Sequence, residues 1–471
     1  MSDVHDRIRG SVIKVFTQSD APDYDQPWQT QGVVSSVGSG LSIATKNGQR
    51  ILTNSHVVEN QVFVEVRRYG QARKFLAKVE GVGHVCDLAL LTVEDESFFK
   101  GLKPIPVGEL PRLGQQVTVL GYPIGGDRLS LTQGIVSRIE MSQYAQSQRR
   151  LLSVQIDAAI NAGNSGGPAI NKRGRLIGVA FEALEEGENI GYLIGSPVIR
   201  HFLHDLESGT FDGFPDLGVV TQNLVSATHR RFLGLSSRLH GGVLVANVVH
   251  GGSTAGSLQR GDVLYRIAGS RVASDGSIPF RKGERIHFSH LVAQRHVGEA
   301  IEVEYWRDGA MHHCNLTLKP PQYLVPEDSY DVKPTYFLYA GLLIVPLSRE
   351  YFKTWGSEWW TKAPACLTAL YEGEVRTAAR SQVVVLQKVM ADRVNQGYHD
   401  HESLVISRVQ GRKIRNLKDL IRIVESENGE FMRFDLGDGS TIVLDRAQAK
   451  KRSDGILRRF GIPSDRSEDL R

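Results

Sequence analysis

Residues 10–200 break into short β-rich segments, GSVIKVF, GLSIAT, RILTN, VFVEVRR, LALLTV, QVTVLGYP, LLSVQI and RLIGVAFEAL, parted by Gly, Asn, Pro or charged turns. Many short strands with no long helix between them predict a barrel or a sandwich. The 48 glycines suit such a chain of strands and turns. SPVIRHFLHDLESG (196–209) then takes helical periodicity, with Ser196 as N-cap, Pro197 as first helical residue and Gly209 as stop. TFDGFPD after it reads as a linker.

The 471 residues allow about three domains of roughly 150 residues each. With 41% hydrophobic and 23% charged residues the chain is ordinarily globular. A net charge of +4, scattered along the sequence, predicts no specific nucleic-acid partner. Cys86, Cys314 and Cys366 are far apart and odd in number, as expected of free thiols in a reducing compartment. The start, MSDVHDRIRGSVIKVF, shows no apolar export segment with a cleavage site. The longest apolar run, YFLYAGLLIVPL, is too short for a bilayer, which takes roughly 20 residues, and reads as a buried strand ending at Pro346. No membrane span is expected, and a soluble intracellular, cytoplasmic protein is; a processed organellar form would look the same.

Beyond residue 215 an internal repeat sets in. GGVLVANVVHGGSTAGSLQRGDVLYRIAGSRV (241–272) resembles QVVVLQKVMADRVNQGYHDHESLVISRVQGRKI (382–414). In each copy a strand, a small or polar crossover and a second strand precede a helical segment, HFSHLVAQRH or LKDLIRIVES, and a closing strand, IEVEYWRDG or FMRFDLGDG. The expected domains are 1–212, 213–320 and 335–471, with the Pro-rich 321–334 as linker.

NAGNSGGPAI (161–170) crowds Gly163, Gly166 and Gly167 around Ser165. Glycine permits φ > 0 and close backbone approach at an entropic cost. Such a loop could aim N–H groups at a point beside Ser165 Oγ, as an oxyanion hole facing a nucleophile requires; a tight turn with an incidental serine is the other reading. ILTNSHVVEN supplies His56 as a base. VCDLALLTV supplies Asp87, a carboxylate costly to bury beside apolar residues without hydrogen bonds. Gly163–Gly167 also fits G-x-S-x-G, the nucleophile elbow, but that arrangement needs a following helix and later Asp and His. Here another strand follows, and His56 and Asp87 precede Ser165.

TNSHVVE, CDLALLTV, GYPIGG and DAAINAGNSGGPAIN together resemble the HtrA/Deg serine proteases, and GDVLYRIAGSRV resembles part of a PDZ domain. The whole chain looks closest to the plant-type Deg branch and its bacterial relatives. The resemblance implies a mainly β fold: a chymotrypsin-like double β-barrel, then two PDZ-like α+β domains, the second divergent. It implies a triad of His56, Asp87 and Ser165, and an oxyanion hole at Gly163 and Ser165 with Asn164 shaping the loop. It also implies an S1 pocket at Ile160, Ala183 and Leu184, apolar and permissive for small or medium aliphatic side chains. Peptide-binding loops map to Gly218 and Gly341, where a ligand would add a strand to a sheet edge. The expected activity is ATP-independent endoproteolysis of unfolded or damaged proteins by a trimer or hexamer, without cofactor or metal. A peptide-binding chaperone or scaffold with a resting-inactive barrel, and a narrow regulatory protease, are the alternatives. HHC (312–314), YHDHE (398–402) and the tryptophans of TWGSEWW (354–360) read as surface, surface, and core or subunit interface.

Overall fold

Both faces of the early strands carry apolar side chains, so the first two hundred residues bury themselves by closing into barrels. The computed structural model describes residues 2–123, 126–161, 163–183, 190–235 and 239–471. Strands β1 (Val12–Ser19), β2 (Val34–Thr45), β3 (Gly48–Thr53), β4 (Gln61–Arg68), β5 (Lys74–Gly83) and β6 (Leu88–Val93) form one closed barrel, ordered β1-β2-β3-β6-β5-β4. A second contains β7 (Gln116–Gly121), β8 (Ser130–Gln143), β9 (Arg150–Ile156), β10 (Pro168–Ile170), β11 (Leu176–Ala183) and β12 (Gly191–Gly195). In β1, Ile13 and Val15 pack with Ile51, Val66 and Leu91, while Val12 joins Leu41, Leu52 and Leu88 in the other apolar cluster. Side chains alternate across a strand, so two buried faces explain why these segments read as nearly unbroken apolar runs. Closure also leaves no unpaired edges.

Helix α1 (Ser2–Arg9) precedes the barrels and α2 (Ser196–Asp205) follows them. The N-cap of α2 is Gly195, with extended φ −67° and ψ 154°, and not Ser196 as expected. Ser196 is fully buried and already helical, so its hydroxyl does not turn back to cap. Gly209 ends the following 3₁₀ turn at φ 95°.

The chain forms two compact units, Met1–Asp20 with Val33–Pro321, and Ala21–Gly32 with Gln322–Arg471. Within the first, Val219–Asn223, Val243–Val248, Val263–Ile267, Ala300–Arg307 and Ala310–Thr317 make an antiparallel sheet in chain order, accompanied by the helix Ser289–Ala293. In the second, Phe337–Tyr339, Leu342–Pro346, Val384–Val389, Leu404–Val409, Phe431–Leu436 and Thr441–Asp445 do the same, with the helices Leu417–Ser426 and Arg446–Phe460. The strands of the internal repeat occupy successive places in both sheets.

Two readings of unit 2 change. YFLYAGLLIVPL is a hairpin, because Ala340 (φ 51°) and Gly341 (φ 90°) turn the chain back, with the positive φ pair of a two-residue β-turn. The stretch read as linker is packed in: Leu324 and Val325 are buried, and Asp328 pairs with Arg349 and with Lys353 at 3.0 Å. Of the tryptophans, Trp359 stacks on Phe352 in the core while Trp360 is exposed. Cys86, Cys314 and Cys366 are unpaired. No helix among the described residues is long and apolar enough to cross a membrane.

Candidate active site

Asp87 sits between the 3₁₀ turn His84–Cys86 and β6, at φ 53°. Aspartate tolerates this left-handed conformation better than most residues, and Asn54 Nδ2 pins it by donating to the Asp87 carbonyl at 2.8 Å. Its carboxylate, 1% exposed, accepts from Ser55 Oγ and from the His56 backbone N–H, both at 2.9 Å on Oδ1. Oδ2 faces His56 Nδ1 at 2.7 Å. An ionised carboxylate only accepts, so Nδ1 carries the proton and Nε2 is the ring's basic nitrogen.

Ser165 lies in the loop joining β9 to β10. Ser39 of β2 ties this loop to the other barrel: its N–H donates to the Ser165 carbonyl at 2.8 Å, and its Oγ to the Gly163 carbonyl at 2.7 Å. The Tyr122 N–H in turn donates to Ser39 Oγ at 2.8 Å. At Gly166 (φ 84°) a Cβ would collide with the Ser39 carbonyl and Thr53 Oγ1. The loop therefore presses on the end of β3, three residues before His56. Glycine here serves close approach as well as φ > 0.

Asn164 is buried, and its N–H closes a turn on the Asn161 carbonyl at 2.9 Å. Gly163 has φ 94°. Among the described residues the N–H groups of Gly163 and Ser165 have no acceptor, so two donors remain beside the hydroxyl. Ile160 is buried against Gly191, where a Cβ would lie 2.6 Å from its Cδ1. Ala183 pairs with the same Gly191 at the end of β11. Leu184, like Ile124 and Gly125 of the GYPIGG motif, lies outside the described residues.

Sequence reasoning missed Ser39, Gly191 and Glu59. Small residues on either side of Ser39 were the available signal, since Gly38 and Gly40 let Val57 and Ile51 close in. Glu59, three residues after His56, takes a hydrogen bond from Gln146. Burial raises its carboxyl above the ordinary range, against the lowering effects of Gln146 and His56.

Gly218 (φ 72°) precedes the sheet-edge strand Val219–Asn223; its N–H donates to Asp216 Oδ1 at 2.7 Å. Gly341 occupies the hairpin turn, with its carbonyl accepting from Met390 N at 2.7 Å, and Phe337–Tyr339 lies along Leu342–Pro346.

Residues 38–179 match a trypsin-like peptidase domain model and residues 325–469 a PDZ domain model. The chain is 40% identical to Protease Do-like 2, chloroplastic, of Arabidopsis thaliana, over 99% of this chain and 76% of that protein. It is 36% identical to Protease Do-like 4, mitochondrial, of the same plant, over 96% and 84%. Among solved structures it resembles the HtrA-type protease AlgW with decapeptide, with TM-score 0.52 and 24% identity over 68% of this chain and 99% of that one. That likeness bears on the fold.

Proposed function

The chain belongs to the Deg/HtrA family of Do-like serine proteases, and on that footing we propose that His56, Asp87 and Ser165 perform its peptide-bond hydrolysis. The observation that carries this assignment is the Asp87 carboxylate, buried and bonded to His56 Nδ1 at 2.7 Å, beside a serine loop whose Gly163 and Ser165 N–H groups have no acceptor among the described residues.

Ser165 Oγ attacks the substrate carbonyl as its proton passes to His56 Nε2. The imidazolium is stabilised by Asp87, and the tetrahedral oxyanion by the N–H groups of Gly163 and Ser165. His56 then returns the proton to the leaving amine, and water hydrolyses the acyl-enzyme by the same exchange. By the family resemblance Ile160, Ala183 and Leu184 are assigned to an S1 pocket for aliphatic side chains, Leu184 lying outside the described residues. Discrimination there is worth only about 1–3 kcal/mol per methylene, so cleavage is permissive and suits unfolded or damaged chains without ATP.

We further assign residues 213–320 as a first PDZ-like module, placing the sequence boundaries at 1–212, 213–320 and 335–471. Its sheet-edge strand after Gly218 supports strand addition by a peptide. A peptide carboxylate would compete with Asp216 for the Gly218 N–H. Gly341 is offered as its counterpart in the C-terminal module. Assembly as a trimer or hexamer, and a cytoplasmic site of action, complete the reading.

The test is casein turnover with the wild type and Ser165→Ala, together with fluorophosphonate labelling and mapping of the modified residue. A fall in kcat on the order of 10⁶-fold with label on Ser165 is expected. Equal turnover by both proteins, or label on another serine, overturns the assignment.

A further inference from the structure

Outside the triad, three metal-competent side chains of unit 1 converge. His201 and Asp205 lie one turn apart on α2, and His296 follows the helix Ser289–Ala293. One ligand atom from each lies within 4.8 Å of the others. His296 Nδ1 meets Asp205 Oδ1 at 2.5 Å, and His201 Nε2 is 3.6 Å from Asp205 Oδ2. We propose that His201, Asp205 and His296 form a zinc-binding site that joins α2 to the segment after the Ser289–Ala293 helix.

Two imidazoles and a carboxylate are a normal donor set for Zn²⁺, which takes N and O ligands at about 2.0–2.2 Å in tetrahedral geometry. Small shifts of the His296 and Asp205 side chains would replace their mutual hydrogen bond with bonds to the ion, the His296 ring giving up its Nδ1 proton and taking one at Nε2 through solvent. His201 Nε2 is held only loosely at present, 3.3 Å from the Gly213 carbonyl. That leaves it able to turn its lone pair to an ion. Ligating carboxylates are commonly oriented by outer hydrogen bonds, and Asp205 Oδ2 already accepts from Gly213 N at 3.1 Å.

The rings are close neighbours, and His296 has to tilt out of its stack on His201 for both in-plane lone pairs to reach one ion. His201 is sandwiched between Phe214 and His296, with both centroids 4.0 Å away. His201 and Asp205 are buried, whereas His296 is a quarter exposed. A cavity of about 450 Å³ opens beside them, lined by His204 as well. The His204 ring stands edge-on to His296 at 4.6 Å. The fourth position thus falls to His204 or to water entering from the cavity.

The test uses the full chain, stripped with chelator and titrated calorimetrically with zinc chloride. One equivalent is expected to bind, and zinc at about 100 times its Kd to raise Tm by several degrees. His201→Gln and His296→Gln should lose that equivalent. His56→Gln should keep it while abolishing proteolysis, which separates this site from the catalytic assignment. Cobalt chloride in place of zinc should give the visible bands of four-coordinate cobalt. If His201→Gln does not fold by circular dichroism, the more exposed His296→Gln decides. Unchanged uptake in His296→Gln, no saturable uptake by the wild type, or a six-coordinate cobalt spectrum overturns the proposal.

Discussion

The Asp87 carboxylate accepts three hydrogen bonds, and only one of them involves the imidazole. The Ser55 hydroxyl and the His56 N–H hold Oδ1 as acceptor, so in Asp87→Asn the amide NH₂ must point at His56. Nδ1 would then accept, and Nε2 would carry the proton that it should be free to receive. We expect the fold to survive, with unchanged circular dichroism, and kcat to fall about 10⁴-fold. A fall below tenfold would mean that Asp87 does not set the tautomer. As candidates, His56, Asp87 and Ser165 stand out in the sequence because each sits in a short stretch where an unusual residue type interrupts an apolar or glycine-rich run. Ser39 does not, because its part is played by backbone and hydroxyl contacts across more than a hundred residues. Gly38 and Gly40 mark a crowded position, but no local pattern names the distant loop that Ser39 holds.

Secondary elements were legible where periodicity carried them. The helix Leu417–Ser426 matches LKDLIRIVES, capped by Asn416, which accepts from Asp419 N at 2.8 Å. The YFLYAGLLIVPL hairpin was hidden because its turn, Ala-Gly, is as apolar as its strands. Charged anchors inside the modules were equally hidden. Asp262, 1% exposed, takes two bonds of 2.7 Å from Arg307 on a neighbouring strand. Asp262→Ala should leave the partly exposed guanidinium with only the Ser257 carbonyl at 3.1 Å and cost about 1.5–3 kcal/mol, visible as a lowered urea midpoint; a cost under about 0.5 kcal/mol would contradict the pairing. Asp392 caps the 3₁₀ turn Arg393–Asn395 and is bridged by Arg452 at 2.9 and 2.6 Å. The hydrogen bond from Arg452 pulls its carboxyl down to about 2 against the opposing effect of burial. A folded pKa below the unfolded value stabilises above the unfolded pKa and is lost as pH falls through the folded one. The advantage of the wild type over Asp392→Asn should therefore be full above about pH 4 and shrink toward pH 2. An advantage that stays constant across that window would contradict the assignment.

At the scale of the whole molecule, the structure groups the chain into two compact units, and one segment departs from the order of the sequence altogether. Ala21–Gly32, within the stretch read as the first domain, belongs to the compact unit built from residues 322–471. Pro22 bridges to Thr30, and the Gln31 N–H returns to the Ala21 carbonyl at 2.8 Å, so the segment folds back on itself. Trp28 meets Tyr336 edge-on at 5.8 Å, Gln387 Nε2 donates to the Tyr24 and Asp25 carbonyls, and Lys388 pairs with Asp25 at 2.8 Å. Nothing in DYDQPWQT by itself names partners more than three hundred residues away. Its acidic and aromatic residues read equally well as an exposed loop. If these contacts are energetically part of unit 2, Trp28→Ala removes a half-buried ring and should cost that unit about 1–3 kcal/mol. Local stability is read by amide exchange. In Trp28→Ala, peptides covering residues 336–346 and 383–390 should exchange faster, while those covering β3 and β6 keep their wild-type rates. Acceleration confined to 21–32 would show the segment to be a bystander, and equal acceleration in the barrel would place its contribution in unit 1.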